Sequence, residues 1–95
     1  MPGIIWSEKA IGDLVALNEW LTEYRQPGEA AEAIRAIRNQ VAGLERFPAV
    51  GSPVSAGIRK LPIKERPFVL LYEIAAGQLV ILRLVHNRSD WQTFT

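Results

Sequence analysis

Two apolar stripes of identical spacing constrain this chain more than any other feature. Ala10, Leu14, Leu17, Leu21 and Tyr24 recur at intervals of four, three, four and three. Ala30, Ile34, Ile37, Val41 and Leu44 repeat the same intervals. An α-helix turns once every 3.6 residues, so each series lies along one helical face. Trp20 and Ile11 widen the first stripe. Ser7 is a good N-cap, and Glu8 beside it favours the positive end of the helix dipole. Between the stripes stand Gln26, Pro27 and Gly28, which stop the first helix. Phe47 and Pro48 end the second. Two striped helices joined by so short a turn form a helical hairpin that needs an apolar surface to cover.

The rest of the chain supplies that surface. Ile4 to Trp6 form a β-prone start. Residues 48 to 57 hold two Pro, two Gly and two Ser and read as a loop. Strands are expected at Ile58–Ile63, Phe68–Ala75 and Leu79–Val85. Ala75-Ala76-Gly77-Gln78 makes a tight connection, with Gly77 suited to a positive φ, so the last two strands form a hairpin. In the last strand Val80, Leu82, Leu84 and His86 fall on one face, and Leu79, Ile81, Arg83 and Val85 on the other. Both faces are mainly apolar, which suits an interior strand. The expected fold is α+β in the order β-α-α-β-β-β, a helical hairpin packed on one mainly antiparallel sheet. With 95 residues the chain is expected to form a single domain over 1–95.

Composition narrows the chemistry. There is no cysteine and one histidine, so disulfides, thiolate chemistry and a structural zinc site are not expected, and no cofactor is implied. The N-terminus does not read as a signal peptide, and no apolar run is long enough to span a membrane. Absence of cysteine fits a reducing cytoplasm. Residues 1–56 carry five Lys/Arg against seven acids, and residues 57–95 six against three, giving halves of −2 and +3. The basic half suits an acidic partner, although a solvated face explains so small an imbalance equally well.

Single residues admit both plain and functional readings. His86 ends a strand, as a hydrogen-bonded structural group or as a site. Arg83 interrupts an apolar strand and needs a partner, because an unpaired buried charge is costly. Glu73 on the neighbouring strand is the expected one. Arg59, Lys60, Lys64 and Arg66 flank the second expected strand. They form either a solvated edge or a basic patch for phosphates or carboxylates. Trp6 and Trp20 are expected in the packing. Trp91, beside Asp90, closes the core or anchors a partner.

Together these residues resemble the RelE/ParE toxins of bacterial toxin–antitoxin pairs. The resemblance runs through Trp6-Ser7, Ala10 and Asp13-Leu14, then Pro48 and Gly51. It continues in Gly57-Ile58-Arg59-Lys60-Leu61, Arg66-Pro67-Phe68-Val69-Leu70-Leu71-Tyr72, Ile81-Leu82-Arg83-Leu84-Val85-His86 and Arg88-Ser89-Asp90-Trp91. It implies a cytoplasmic toxin in a hetero-oligomer with a cognate antitoxin, whose C-terminal segment wraps it. RelE-like members cleave mRNA on the ribosome without a metal, and ParE-like members poison DNA gyrase. Metal-free cleavage needs a base for the 2′-hydroxyl, cations for the phosphate and an acid for the leaving oxygen. Here His86 with Arg83 or Arg88 would serve, with Arg66 and Lys64 as further phosphate clamps. RelE-like ribonucleases commonly carry an arginine just before the Leu-Val-Tyr run, and this chain has Val69 there. The Arg66-Pro67-Phe68-Val69 run and the Val85-His86 ending are similar to the ParE-like branch. One departure is Ser52 after Gly51, where arginine is frequent. The resemblance thus implies a gyrase-binding toxin whose target surface includes Arg83, His86, Arg88, Asp90 and Trp91. A ribosome-dependent mRNA endoribonuclease and a non-toxic antitoxin-binding module are the alternatives.

Overall fold

A computed structural model describes residues 3–55 and 57–88. The chain runs through β1 (Gly3–Trp6), α1 (Glu8–Tyr24), α2 (Glu29–Ala42), a 3-10 turn (Gly43–Glu45), β2 (Ser52–Ser55), β3 (Ile58–Pro62), β4 (Phe68–Ala75) and β5 (Gln78–His86). The strands form one sheet in the order β1-β5-β4-β3-β2. Only β1 and β5 pair in parallel, Ile4 opposite Leu79 and Trp6 opposite Ile81. The other three pairings are antiparallel. The architecture is thus the expected α+β hairpin on a sheet, with one strand more. Ser52–Ser55 lies in the stretch expected to be a loop. It pairs with β3 through an irregular register that skips one residue between Pro53 and Ser55. Its Pro, small residues and short length hid it, and they are what an edge position tolerates.

Helix α1 starts where Ser7 holds extended backbone and its side chain accepts from the Ala10 amide at 3.1 Å. Its buried face is Ala10 and Leu21, with Leu14 and Leu17 packed at the margin. Tyr24, the last residue of the predicted stripe, is 64% exposed. Trp20 was expected in the packing and instead is 47% exposed. Helix α2 buries Ala33, Ile37 and Val41, and the 3-10 turn carries Leu44 into the same core. These meet Leu70, Tyr72, Leu79, Ile81 and Leu84 from the sheet.

Strand β5 does not keep the simple alternation that its sequence suggests. Tyr72 faces Ile81 and Leu71 faces Arg83, so Leu82 is an extra residue, a β-bulge. The bulge resets which side chains face the helices. Leu79 and Ile81 lie in the main core before it, and Leu84 after it. Leu82 and Val85 pack with Val69 and Leu71 on the opposite face. One inserted residue therefore brings Leu84, and with it His86, to the helical side.

Candidate functional site

Beyond Ile81 the outer edge of β5 has no strand beside it among the described residues, because β1 stops at Trp6. Residues of the first helical segment take over. The Ser7 amide donates to the Ile81 carbonyl at 2.9 Å, and its hydroxyl donates to the Leu82 carbonyl at 2.9 Å. Asp13 then accepts from the Leu84 amide at 2.9 Å. The same carboxylate receives Arg83 through Nε at 2.8 Å and Nη2 at 3.0 Å. The hydrogen bond to Asp13 raises the Arg83 pKa, burial opposes it, and the Asp13 charge adds to it. Glu73, the expected partner, is opposite Val80 rather than Arg83, so the strand-to-strand pair does not form. Neither side of the bulge sets the two opposite: Glu73 lies on the turn side of it, and Arg83 pairs with Leu71 beyond it.

His86 closes β5 opposite Phe68, and the two rings meet edge to face with centroids 6.0 Å apart. Its Nδ1 accepts from the Arg88 backbone amide at 3.1 Å. That bond assigns the proton of the neutral ring to Nε2, which makes the outward nitrogen a donor. The Asn87 amide donates to the Pro67 carbonyl at 2.8 Å and ties the strand end to the β3–β4 connection. His86 thereby borders a groove of about 570 Å³ between α1, the start of α2 and the start of β4. Its apolar lining includes Leu17, Trp20, Leu21, Ala33 and Phe68, and its charged residues are Arg25, Glu29, Glu65 and Arg66. Arg25 lies over the Trp20 ring at 5.4 Å from its centroid. Arg66 is half-buried, and its Nε has no hydrogen-bond partner among the described residues. A buried donor left open in an apolar groove favours an occupant that brings an acceptor.

The four cations flanking β3 do not gather into one patch. Arg59 is opposite Tyr72 and Lys60 opposite Leu71, which places them on opposite faces of the sheet. Arg59 is engaged within the protein, donating to the Ala49 carbonyl at 3.2 Å and the Gly51 carbonyl at 2.6 Å. Lys64 is exposed, with its amide bonded to the Gln40 side chain. Only Arg66 joins His86 at the groove. Strand β3 is also not the edge, since β2 covers it. Arg88 is exposed beside His86. Asp90 and Trp91, both named from the sequence, lie outside the described residues. Sequence reasoning missed Asp13 as the partner of Arg83, because the pair spans 70 positions and no periodic pattern links them.

Pro48, Gly51, Arg59 and Tyr72 form a second constellation. The buried Tyr72 hydroxyl donates to the Pro48 carbonyl at 2.8 Å and accepts from the Gly51 amide at 2.9 Å. Residues that were separate marks in the sequence are one hydrogen-bonded unit.

Comparison with known proteins agrees with this layout. The curated Toxin RelE2 of Caulobacter vibrioides is 26% identical over 86 residues, covering 90% of this chain and 96% of the relative. A solved structure, the chromosomal ParDE TA system from P. aeruginosa, superposes with a TM-score of 0.81 at 26% identity, over 90% of this chain and 96% of that one. The family model for the ParE toxin of the type II toxin–antitoxin system, parDE, matches residues 4–91. With nearly its whole length matched, this chain belongs to the ParE toxin family of type II toxin–antitoxin systems.

Proposed function

We propose that this toxin acts in the cytoplasm as a ParE-like poison of DNA gyrase, held inactive by a cognate antitoxin. The observation that supports it best is the state of the two groups a ribonuclease would use. His86 spends its Nδ1 lone pair on the Arg88 amide, leaving a donor and no base on the outward side. Arg83 is bound bidentately by Asp13 and is not presented to a phosphate. Val69, where a RelE-like ribonuclease would carry arginine, is buried opposite Val85. General base catalysis needs a lone pair within reach of the proton it takes, and cation stabilisation needs the cation at the phosphate.

The groove bordered by Trp20, Phe68 and His86 is the proposed seat of the antitoxin. Its apolar floor would bury nonpolar side chains, and a carboxylate would satisfy the open Arg66 Nε.

The test is to express the toxin without its antitoxin and assay gyrase supercoiling alongside transcript integrity. Inhibited supercoiling with intact transcripts supports the proposal. Cut transcripts with normal supercoiling replace it with the endoribonuclease reading. Normal growth with both assays unaffected leaves an inert antitoxin-binding module.

A further inference from the structure

The face of the sheet turned away from the helices carries an apolar cluster of its own. Val69, Leu71 and Val85 are 6%, 0% and 7% exposed, and Leu82 packs against them. The described helices do not account for this burial. They pack on the other face, against Leu70, Tyr72, Leu79, Ile81 and Leu84. Side chains stand roughly perpendicular to a sheet, so a leucine on a bare face keeps part of its surface in water. The far end of the same face shows this. Glu73 pairs with Ile58 and Val80 toward the β4–β5 turn, and all three are only half-buried. Ile5, opposite Val80 on β1, is 42% exposed. Val69 and Val85 instead pair one step before the last pair of the ladder, Phe68 with His86. Burial is thus deepest at the end of the sheet where the chain leaves β5.

We propose that residues 89–95 cross this face and close it as a second, smaller core, with Trp91 and Phe94 as its cover. Burial, position and reach select this occupant. Leu71 is fully buried within the single chain, so neither an antitoxin nor a second copy is needed to cover it. Three stretches lie outside the described residues: 1–2, 56 and 89–95. Residues 1–2 precede Gly3, which pairs with Gln78 at the opposite end of β5, about 23 Å from Val85 at 3.3 Å per residue. Ala56 is a single residue joining β2 to β3, beside the Ile58–Glu73 pair at the bare end. Residues 89–95 begin next to the cluster. The chain turns at residues 87–88 instead of prolonging β5, fastened by the Asn87 amide on the Pro67 carbonyl and the Arg88 amide on His86 Nδ1. Seven extended residues reach about 23 Å, whereas two strand spacings, from β5 across β4 to β3, are about 10 Å. The segment Ser-Asp-Trp-Gln-Thr-Phe-Thr holds two aromatic side chains three positions apart. Each such ring buries about 150–250 Å², enough for a cluster of this size. Of the two readings of Trp91 that the sequence leaves open, this one makes it a closure of the core. His86 and Arg88 then lie between the cluster and its strap, so the strap also holds the His86 end of the groove in place.

The chain has no cysteine, so one introduced thiol reports one site. Leu71→Cys and Val80→Cys are each labelled with a maleimide in purified toxin free of antitoxin. Leu71→Cys should react about tenfold or more slower than Val80→Cys. Adding Trp91→Ser and Phe94→Ser should raise the Leu71→Cys rate about tenfold or more and leave Val80→Cys within about twofold. In wild type, nuclear Overhauser contacts should join the Trp91 and Phe94 rings to methyl groups of Val69, Leu71 and Val85. Equal labelling of the two thiols in the otherwise intact chain overturns the inference, as does a Leu71→Cys rate that the two serines leave unchanged. Protection that vanishes on dilution gives the face to a second copy, and protection that needs added antitoxin gives it to the antitoxin. Either result also overturns the inference. Should the two serines unfold the chain, both thiols react fast, and the wild-type contacts decide. Their presence then sustains the inference and their absence overturns it. No readout uses growth arrest or gyrase, so the toxin reading stands or falls separately.

Discussion

Arg83 grips Asp13 with two nitrogens, at 2.8 and 3.0 Å, while the same carboxylate accepts the Leu84 amide at 2.9 Å. Asp13 thus substitutes for a missing strand where β5 outruns β1. Both side chains are mostly buried, at 23% and 18% exposure. Asp13→Asn keeps the shape but replaces acceptor capacity with a donor facing a guanidinium. The expected loss is about 1–3 kcal/mol, read as a fall in thermal midpoint of about 4–8 °C per kcal/mol for a domain of this size. Arg83→Leu combined with Asp13→Asn should lose less than the sum of the two single changes, because each single change strands a partner. The interaction with Asp13 raises the Arg83 pKa. The stabilisation from a raised basic group is present below its unfolded pKa and lost only as pH rises through its folded one. The gap between wild type and Asp13→Asn should therefore hold constant from about pH 7 to about pH 10.

Gly51 is required for space. A Cβ there would lie 2.6 Å from the Tyr72 hydroxyl and 2.7 Å from the Lys60 carbonyl oxygen. The hydroxyl is held from both sides and the carbonyl is backbone, so neither yields cheaply. Gly51→Ala should cost about 1–3 kcal/mol as an overpacking change. Tyr72→Phe should cost a similar amount by a different route, leaving the buried Gly51 amide without its acceptor. Chemical denaturation of the two variants separates them from the double change, which should relieve part of the clash.

The sequence carried the helices, β1 and the last three strands because their signals are local. Spacing, caps and Gly-Pro punctuation act over a few residues, and Phe68–Ala75 matches to the residue. The short edge strand Ser52–Ser55 escaped because its composition is that of a loop, and its pairing is set by β3 rather than by its own propensity. Leu82 escaped because a bulge has no signature in a run of Leu, Val and Ile, where every register keeps an apolar face. That one residue also sets Arg83 opposite Leu71, and Asp13 of α1 takes the arginine. The groove was invisible for a related reason. It gathers residues from α1, α2, β4 and β5, and only their packing shows that Trp20 is half exposed while Arg66 comes near His86.

The β4–β5 turn offers a gain in stability. Ala76 and Gly77 both hold left-handed backbone, with φ of 51° and 75°, as a two-residue turn between Ala75 and Gln78 requires. Alanine is strained there by its Cβ, whereas asparagine tolerates the conformation. Ala76→Asn should stabilise the fold by about 0.5–1 kcal/mol, seen as a higher denaturation midpoint with an unchanged slope. A destabilised Ala76→Asn would mean that the Ala76 methyl contributes contacts beyond the turn.

His86 separates docking from catalysis by a single substitution. Nδ1 already accepts the Arg88 amide, so the neutral ring presents Nε2–H outward. Glutamine reproduces a neutral donor at similar reach but neither takes nor gives a proton at physiological pH. In a docking surface His86→Gln should keep growth arrest within a few-fold of wild type, while His86→Ala, which also removes the edge contact with Phe68, should weaken it further. In a ribonuclease both substitutions delete the acid–base group, and both should lower transcript cleavage by about 10²–10⁴-fold. Growth arrest and transcript integrity measured on the same induced cultures distinguish the two outcomes. Equal, severe loss in glutamine and alanine, accompanied by restored transcripts, would remove the gyrase reading.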